Sequence, residues 1–123
     1  MNAGEKARRE VMGDEYVDRA MGATDDFIEP LQAYLNEHCW GSVWVRKELD
    51  RRTRSLCTLA MLVALRASNE IRGHVHGALR NGASREEIRE VLLHAAVYCG
   101  APAAIEAFRS AAEVFKTREE PGN

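Results

Sequence analysis

The sequence is poor in most of the features that mark a specialised chain. It has three cysteines, three prolines and 7% aromatic residues among 123. Cys39, Cys57 and Cys99 are odd in number and form no CxxC, which excludes a disulfide framework and a zinc ribbon and fits a reducing cytoplasm. Neither sign of charge is in excess. With 17 basic and 19 acidic side chains the net charge is −2, so the chain lacks the footprint of a nucleic-acid binder. No apolar run reaches the length of a membrane span: Ser55–Leu65 measures about 16 Å as a helix against roughly 30 Å of hydrocarbon, and Arg52, Arg54 and Arg66 bracket it. The N-terminal MNAGEKARREVMGDEY has no apolar leader core, so no secretory signal is expected. No stretch alternates as a strand would, and no period of repeat length appears.

What is present is ordinary in amount and uneven in placement. The 46% hydrophobic and 29% charged fractions belong to a soluble chain, and 123 residues suit one domain over 1–123 with a single core. The SLCTLAMLVAL run of Ser55–Leu65 is the exception. It is too apolar for a helix lying on the surface of a small monomer, and it points to burial or assembly.

Punctuation and periodicity predict an all-α fold of about six helices. The first runs over Lys6–Met21 and is weakened by Gly13; the second is capped by Thr24 or Asp25 and runs to His38, with Phe27, Leu31 and Leu35 on one face and Pro30 near its start. Trp40–Leu49 has no helical period and contains Gly41, so it reads as a loop. Asp50 then caps the apolar helix, which extends to Ala67. Asn69 caps the next, which ends at Asn81-Gly82. Ser84 and Glu87 form a capping box ahead of a stripe of Ile88, Val91, Leu92, Ala95 and Cys99. Pro102 opens a last helix carrying Ile105, Phe108 and Val114, and the tail after Lys116 is expected to fray.

Residues 69–82 (NEIRGHVHGALRNG) hold the candidate chemistry. Ile71, Val75 and Ala78-Leu79 take the core face, and Glu70, His74 and Gly77 share a neighbouring stripe. A carboxylate one turn from an imidazole fixes its tautomer and favours its protonated form, as general-acid work near neutral pH requires. The same pair is also common on solvated helices. His76 points about 200° away from His74, so the two do not chelate one metal, and no metal site is expected. Arg46, Arg51, Arg52 and Arg54, preceded by Trp40 and Trp44, are suited to a small dianion; salt links to acids such as Glu48 and Asp50 are the alternative. Glu86, Glu90, His94 and Tyr98 form a third stripe, which reads as structure or interface. His38 has no assigned role.

From Trp40 to Phe115, about 60% of the chain, the sequence resembles the carboxymuconolactone decarboxylase family, in particular the 4-carboxymuconolactone decarboxylases of aromatic catabolism in the beta-ketoadipate pathway. W-x-R-x-x-L-D-x-R-x-R-S, E-x-x-x-H, N-G-x-[ST]-x-x-E-[IV]-x-E and Y-x-G-x-P occur in order and at family spacing. The resemblance implies an AhpD-like orthogonal helical bundle, a homohexamer built as a trimer of dimers, and conversion of 4-carboxymuconolactone to 3-oxoadipate enol-lactone with no metal or organic cofactor. In that setting His74, oriented by Glu70, supplies acid or oxyanion-donor work. Arg46 and Arg54 anchor the substrate, Trp44 walls the pocket, and His76 lies where the family often carries an arginine. The partners implied are a small carboxylated lactone and further copies of the chain, without nucleic acid or membrane. AhpD-type peroxidase chemistry is disfavoured because Ala67 and Glu70 occupy the two cysteine places. Lys47-Glu48 in place of Pro-Gly, and Arg66-Ala67-Ser68-Asn69-Glu70 in place of Gly-Arg-x-His-Glu, leave open another small carboxylated lactone as substrate. A non-catalytic oligomeric module is the alternative from a different class.

Overall fold

The computed structural model describes residues 2–119. Among them are seven α-helices, one π-helical segment and no strand, in the order α1 (Ala3–Met12), α2 (Asp14–Gly22), α3 (Glu29–Tyr34), the π segment (Leu35–Trp44), α4 (Arg51–Leu65), α5 (Ser68–Arg80), α6 (Arg85–Cys99) and α7 (Ala101–Glu119). Two compact units divide the chain, one up to Arg51 and one from Arg52.

In the first unit the helix expected over Lys6–Met21 is two helices. Gly13, at φ 93°, adopts a backbone that side-chain-bearing residues rarely reach, and the chain turns there between α1 and α2. Asp25 accepts hydrogen bonds from the amides of Phe27 and Ile28 at 3.0 and 3.1 Å, and Pro30 falls in the first turn of α3, where its missing N–H costs nothing. The segment from Trp40, expected as a loop, is helical as far as Trp44. Its i→i+5 winding carries no 3.6-residue signature, which is why the sequence pattern hides it. The π segment lies against α1 at very short range. A Cβ on Gly4 would sit 1.6 Å from the Asn36 carbonyl oxygen, so only glycine permits this contact; within the π segment itself, a Cβ on Gly41 would sit 2.8 Å from the same atom. Val11, Met12, Val17, Trp40 and Trp44 form the core of the unit. Arg8 is buried beside it, donating to Gln32 at 2.8 Å and to Asn36 at 3.1 Å. Phe27 and Leu31 are exposed, and Leu35 alone of that stripe packs against the core.

The second unit is built on Leu59, Val63, Ile71, Val75, Ala78, Ile88, Leu92 and Ala95. The α5 and α6 stripes therefore face inward as their periodicity predicts. The capping box is formed: the Glu87 amide donates to Ser84 Oγ at 3.0 Å and the Ser84 amide to Glu87 Oε1 at 2.9 Å. Gly82 sits at φ 95° just past α5. Asn69 does not cap α5, which begins one residue earlier; its carboxamide instead accepts from Arg72 at 2.7 Å. In α7 the inward face is Ala103, Ala104, Ala107 and Ala111, small enough for close helix packing, and Ile105 and Phe108 lie on the exposed side. Residues 117–119 continue α7, and the rest of the expected fray lies outside the described residues. The apolar helix α4 buries only a seam, Ser55, Leu59 and Val63 at i, i+4 and i+8, and leaves Leu65 74% exposed.

Candidate active site

His74 is carried by α5, one turn after Glu70. Val75 beside it is wholly buried in the core, and Gly73 and Gly77 on either side are buried too, so the ring is drawn into the protein while Glu70, in the first turn, stays exposed. Burial pushes the His74 imidazolium below its ordinary pKa, and the Glu70 charge opposes this without overcoming it. The ring is thus neutral at pH 7. This reverses the protonated form expected from spacing: helical period places the carboxylate, but it does not report the depth of the ring. The Nδ1 atom of His74 is buried and has no hydrogen-bond partner.

Arg54, half-buried in the first turn of α4, presents a second such atom: its Nε is also buried without a partner. Each of these atoms is a polar group held out of water and unsatisfied, a costly condition that structures tolerate where a ligand can complete it. Between the two stretches of backbone runs a hydrogen-bonded link. Asn81 Nδ2 donates to Gly77 O at 2.7 Å and to Ser55 Oγ at 3.2 Å, with the Ser55 side chain buried. Sequence reasoning missed this link; Asn81 is visible only as the residue before a terminating glycine.

The remaining arginines of the nominated cluster are engaged separately. Arg46 is exposed and pairs with Glu48 at 3.4 Å. Arg51 pairs with Glu10 at 3.2 Å and donates to the Trp44 carbonyl at 3.4 Å, and Arg52 pairs with Glu87. Trp44 is a core residue of the first unit, its ring tilted 31° against Trp40 with centroids 5.1 Å apart. Together with Arg46, Lys6, Lys47 and Arg51 it also lines a hollow of about 630 Å³ in that unit. His76 faces α7, with Nδ1 3.3 Å from an Arg118 guanidinium nitrogen. It stands in a row of α5–α7 contacts that includes Arg72–Glu113 at 2.6 Å.

The turn into α5 is shaped by Arg66, the one non-glycine residue with positive φ among the described residues, at 55°. Glu106 holds its guanidinium with both carboxylate oxygens, which raises the Arg66 pKa and lowers that of Glu106. His94 and Tyr98 stack at 5.2 Å and line an apolar groove of about 430 Å³ between α4 and α6 with Cys57 and Cys99. Among the described residues no group of three or more His, Cys, Asp or Glu side chains is arranged to hold a metal ion. None of the described helices is long and apolar enough to cross a membrane.

Comparison with known proteins bears on this geometry. The model of the carboxymuconolactone decarboxylase family matches residues 29–113. The chain is 47% identical over 104 residues to nitrosuccinic acid decarboxylase npaB of Metarhizium robertsii, covering 85% of this chain and 73% of that one. It is 40% identical over 113 residues to 4-carboxymuconolactone decarboxylase of Acinetobacter baylyi, covering 92% of this chain and 84% of that one. An uncharacterized 15.0 kDa protein of Paracoccus denitrificans is 29% identical over 102 residues, 81% of this chain and 76% of that one. A family match that takes in α3 to α7, together with two named decarboxylases at this identity, makes the chain a carboxy-lyase that belongs to the carboxymuconolactone decarboxylase family.

Proposed function

We propose that the protein decarboxylates 4-carboxymuconolactone to 3-oxoadipate enol-lactone without a cofactor. The observation that carries this reading is that Arg54 and His74, in one unit, each hold a buried, unsatisfied nitrogen, with the Glu70 charge acting on the His74 ring. In the substrate the departing carboxylate sits on a ring carbon conjugated to the lactone carbonyl. The C–C bond breaks, CO2 leaves, the electron pair enters that carbonyl as a dienolate, and a proton returns to carbon. The butenolide is its own electron sink. What the protein must add is an anchor for the side-chain carboxylate and a donor for the developing oxyanion. Arg54 Nε–H, as a charge-assisted donor, suits the first task. A neutral imidazole N–H suits the second, because it strengthens as a donor while negative charge grows on the oxygen and needs no prior protonation. The Glu70 charge acts on the ring through space and favours positive charge there. Arg46 and Trp44, which line a hollow of the first unit, and His76 on α5 are proposed as substrate-binding residues on the family resemblance alone.

Nitrosuccinic acid is a second reading, favoured by the 47% identity to a nitrosuccinic acid decarboxylase. It is a small dicarboxylic acid whose nitro group, on the carbon that loses CO2, accepts the electron pair as the lactone carbonyl does. The two readings share Arg54 and His74 and differ in the sink. Measuring kcat/KM for both acids with one preparation separates them: the higher value for 4-carboxymuconolactone is expected, and a higher value for nitrosuccinic acid replaces the first reading with the second.

The two units act as one carboxymuconolactone decarboxylase-like domain in a cytoplasmic homohexamer, a trimer of dimers. Support comes from the family match, which runs through the unit boundary, from free cysteines, and from apolar side chains of α4 and α6 that this chain leaves uncovered, Leu65 and the 78% exposed Tyr98 among them. Six copies of 13.8 kDa give about 83 kDa, which light scattering reads directly.

A further inference from the structure

We infer that Asn81 is a positioning residue, whose carboxamide staples α5 to α4 and so sets the spacing between Arg54 and His74. The inference rests on the reading of those two residues as substrate-facing. Its basis is the placement of the link. On α4 it grips Ser55, the residue next to Arg54; on α5 it grips the carbonyl of Gly77, one turn beyond His74 and on the same side of the helix. The last carbonyls of a helix lack intrahelical partners, and capping normally satisfies them locally. Asn81 does this already with its backbone, whose N–H donates to Gly77 O at 3.0 Å and Ala78 O at 3.1 Å. The side chain is therefore not needed for a local cap. Its second contact reaches 26 positions back along the chain to a buried hydroxyl, on the residue that follows Arg54 in sequence.

A donor pair works on a bound acid only if its two members keep their separation to within a fraction of an ångström, and mispositioning on the ångström scale costs on the order of a hundredfold in rate. Two helices joined by a short turn slide relative to one another unless something fixes their register. The apolar seam of Leu59 and Val63 resists separation, but apolar contacts are not directional. The Ser55–Asn81–Gly77 link supplies the direction.

Three variants test this. Ser55→Ala removes only the acceptor, and Asn81→Ala removes the carboxamide; the double variant closes the cycle. Each single variant is expected to lower kcat/KM for 4-carboxymuconolactone about tenfold, and the double variant no further, because both remove one link. The His74 ring titration, followed by NMR without substrate, is expected to move up towards the ordinary histidine range as water reaches the loosened seam. Ser84→Ala, which opens the capping box of α6, supplies the comparison: it lowers the melting temperature and leaves both the His74 titration and kcat/KM where they were. Ser55→Ala and Asn81→Ala with a wild-type His74 titration and wild-type kcat/KM overturn the inference. So does a titration shift of the same size in Ser84→Ala. If Arg54→Ala and His74→Leu retain full turnover, the assignment of the donor pair fails; the titration shift still decides whether Asn81 holds the register.

Discussion

Replacing His74 by leucine should stabilise the protein while removing its activity, the reverse of what a substitution in a packed interior usually does. The expectation follows from Nδ1 of His74, which is buried and unpartnered. A buried polar group without a partner costs roughly 1–3 kcal/mol, and an apolar side chain of similar volume removes the cost without opening a cavity. Taking about 1 kcal/mol as the net gain, a chain of this length should melt roughly 3–5 °C higher. The gain should also depend on pH. Because burial holds the folded-state pKa of His74 below the unfolded value of about 6.5, the folded protein binds fewer protons, and this contribution is complete above that value and lost as pH falls through it towards the folded pKa. One such group imposes a slope of at most about 1.4 kcal/mol per pH unit. His74→Leu lacks that slope, so its advantage over wild type widens on acidification. Denaturant unfolding of both proteins at a series of pH values from about 7.5 downward measures this. A variant that is less stable than wild type, with the same dependence on pH, would mean that the His74 ring is neither unsatisfied nor desolvated in the folded protein. Turnover should fall by roughly a hundredfold or more, within the range for groups that stabilise developing charge.

The other residues give expectations of different kinds. Arg54→Ala deletes a charged donor worth roughly 1.5–3 kcal/mol to a bound carboxylate, so KM should rise about tenfold or more with a smaller change in kcat; an unchanged KM assigns Arg54 to structure. Glu70→Gln removes the charge that opposes burial, so the His74 titration should move further down, and an upward shift contradicts the coupling between them. Gly4→Ala places a methyl 1.6 Å from the Asn36 carbonyl oxygen, so α1 and the π segment must part; loss of protease resistance confined to the first unit is expected, and wild-type resistance disproves the contact.

Which parts of this were legible in the sequence depended on how local their causes are. The turn and capping box between α5 and α6 were readable, because Gly82, Ser84 and Glu87 act within five residues of one another and their hydrogen bonds are local; the reach of Asn81 to Ser55 was not. The inward faces of α5 and α6 followed from period. The π segment did not, since nothing in Trp40–Trp44 repeats at 3.6 residues, and what holds it in place includes Gly4, far away along the chain. In α7, of the large apolar residues Ile105, Phe108 and Val114, Val114 packs against the core while Ile105 and Phe108 stay on the exposed side, because close packing selects the alanines.

At the candidate site, sequence spacing put Glu70 one turn from His74 but gave the opposite direction for the shift in the ring's pKa, because desolvation is set by tertiary burial. The arginine cluster looked like one anion site. The alternative of local salt links holds for Arg46, which pairs with Glu48; distant partners, Glu10 and Glu87, take Arg51 and Arg52, and Arg54 keeps a buried, unsatisfied Nε.

Cofactor-independent decarboxylation at Arg54 and His74 is read from CO2 release. Purified protein treated with EDTA is incubated with 4-carboxymuconolactone, and CO2 is measured alongside loss of the conjugated lactone absorbance. One CO2 is expected for each lactone consumed, at a rate unaffected by the chelator and nearly abolished in His74→Leu. No CO2 from this acid or from nitrosuccinic acid, or full release by His74→Leu, would contradict it.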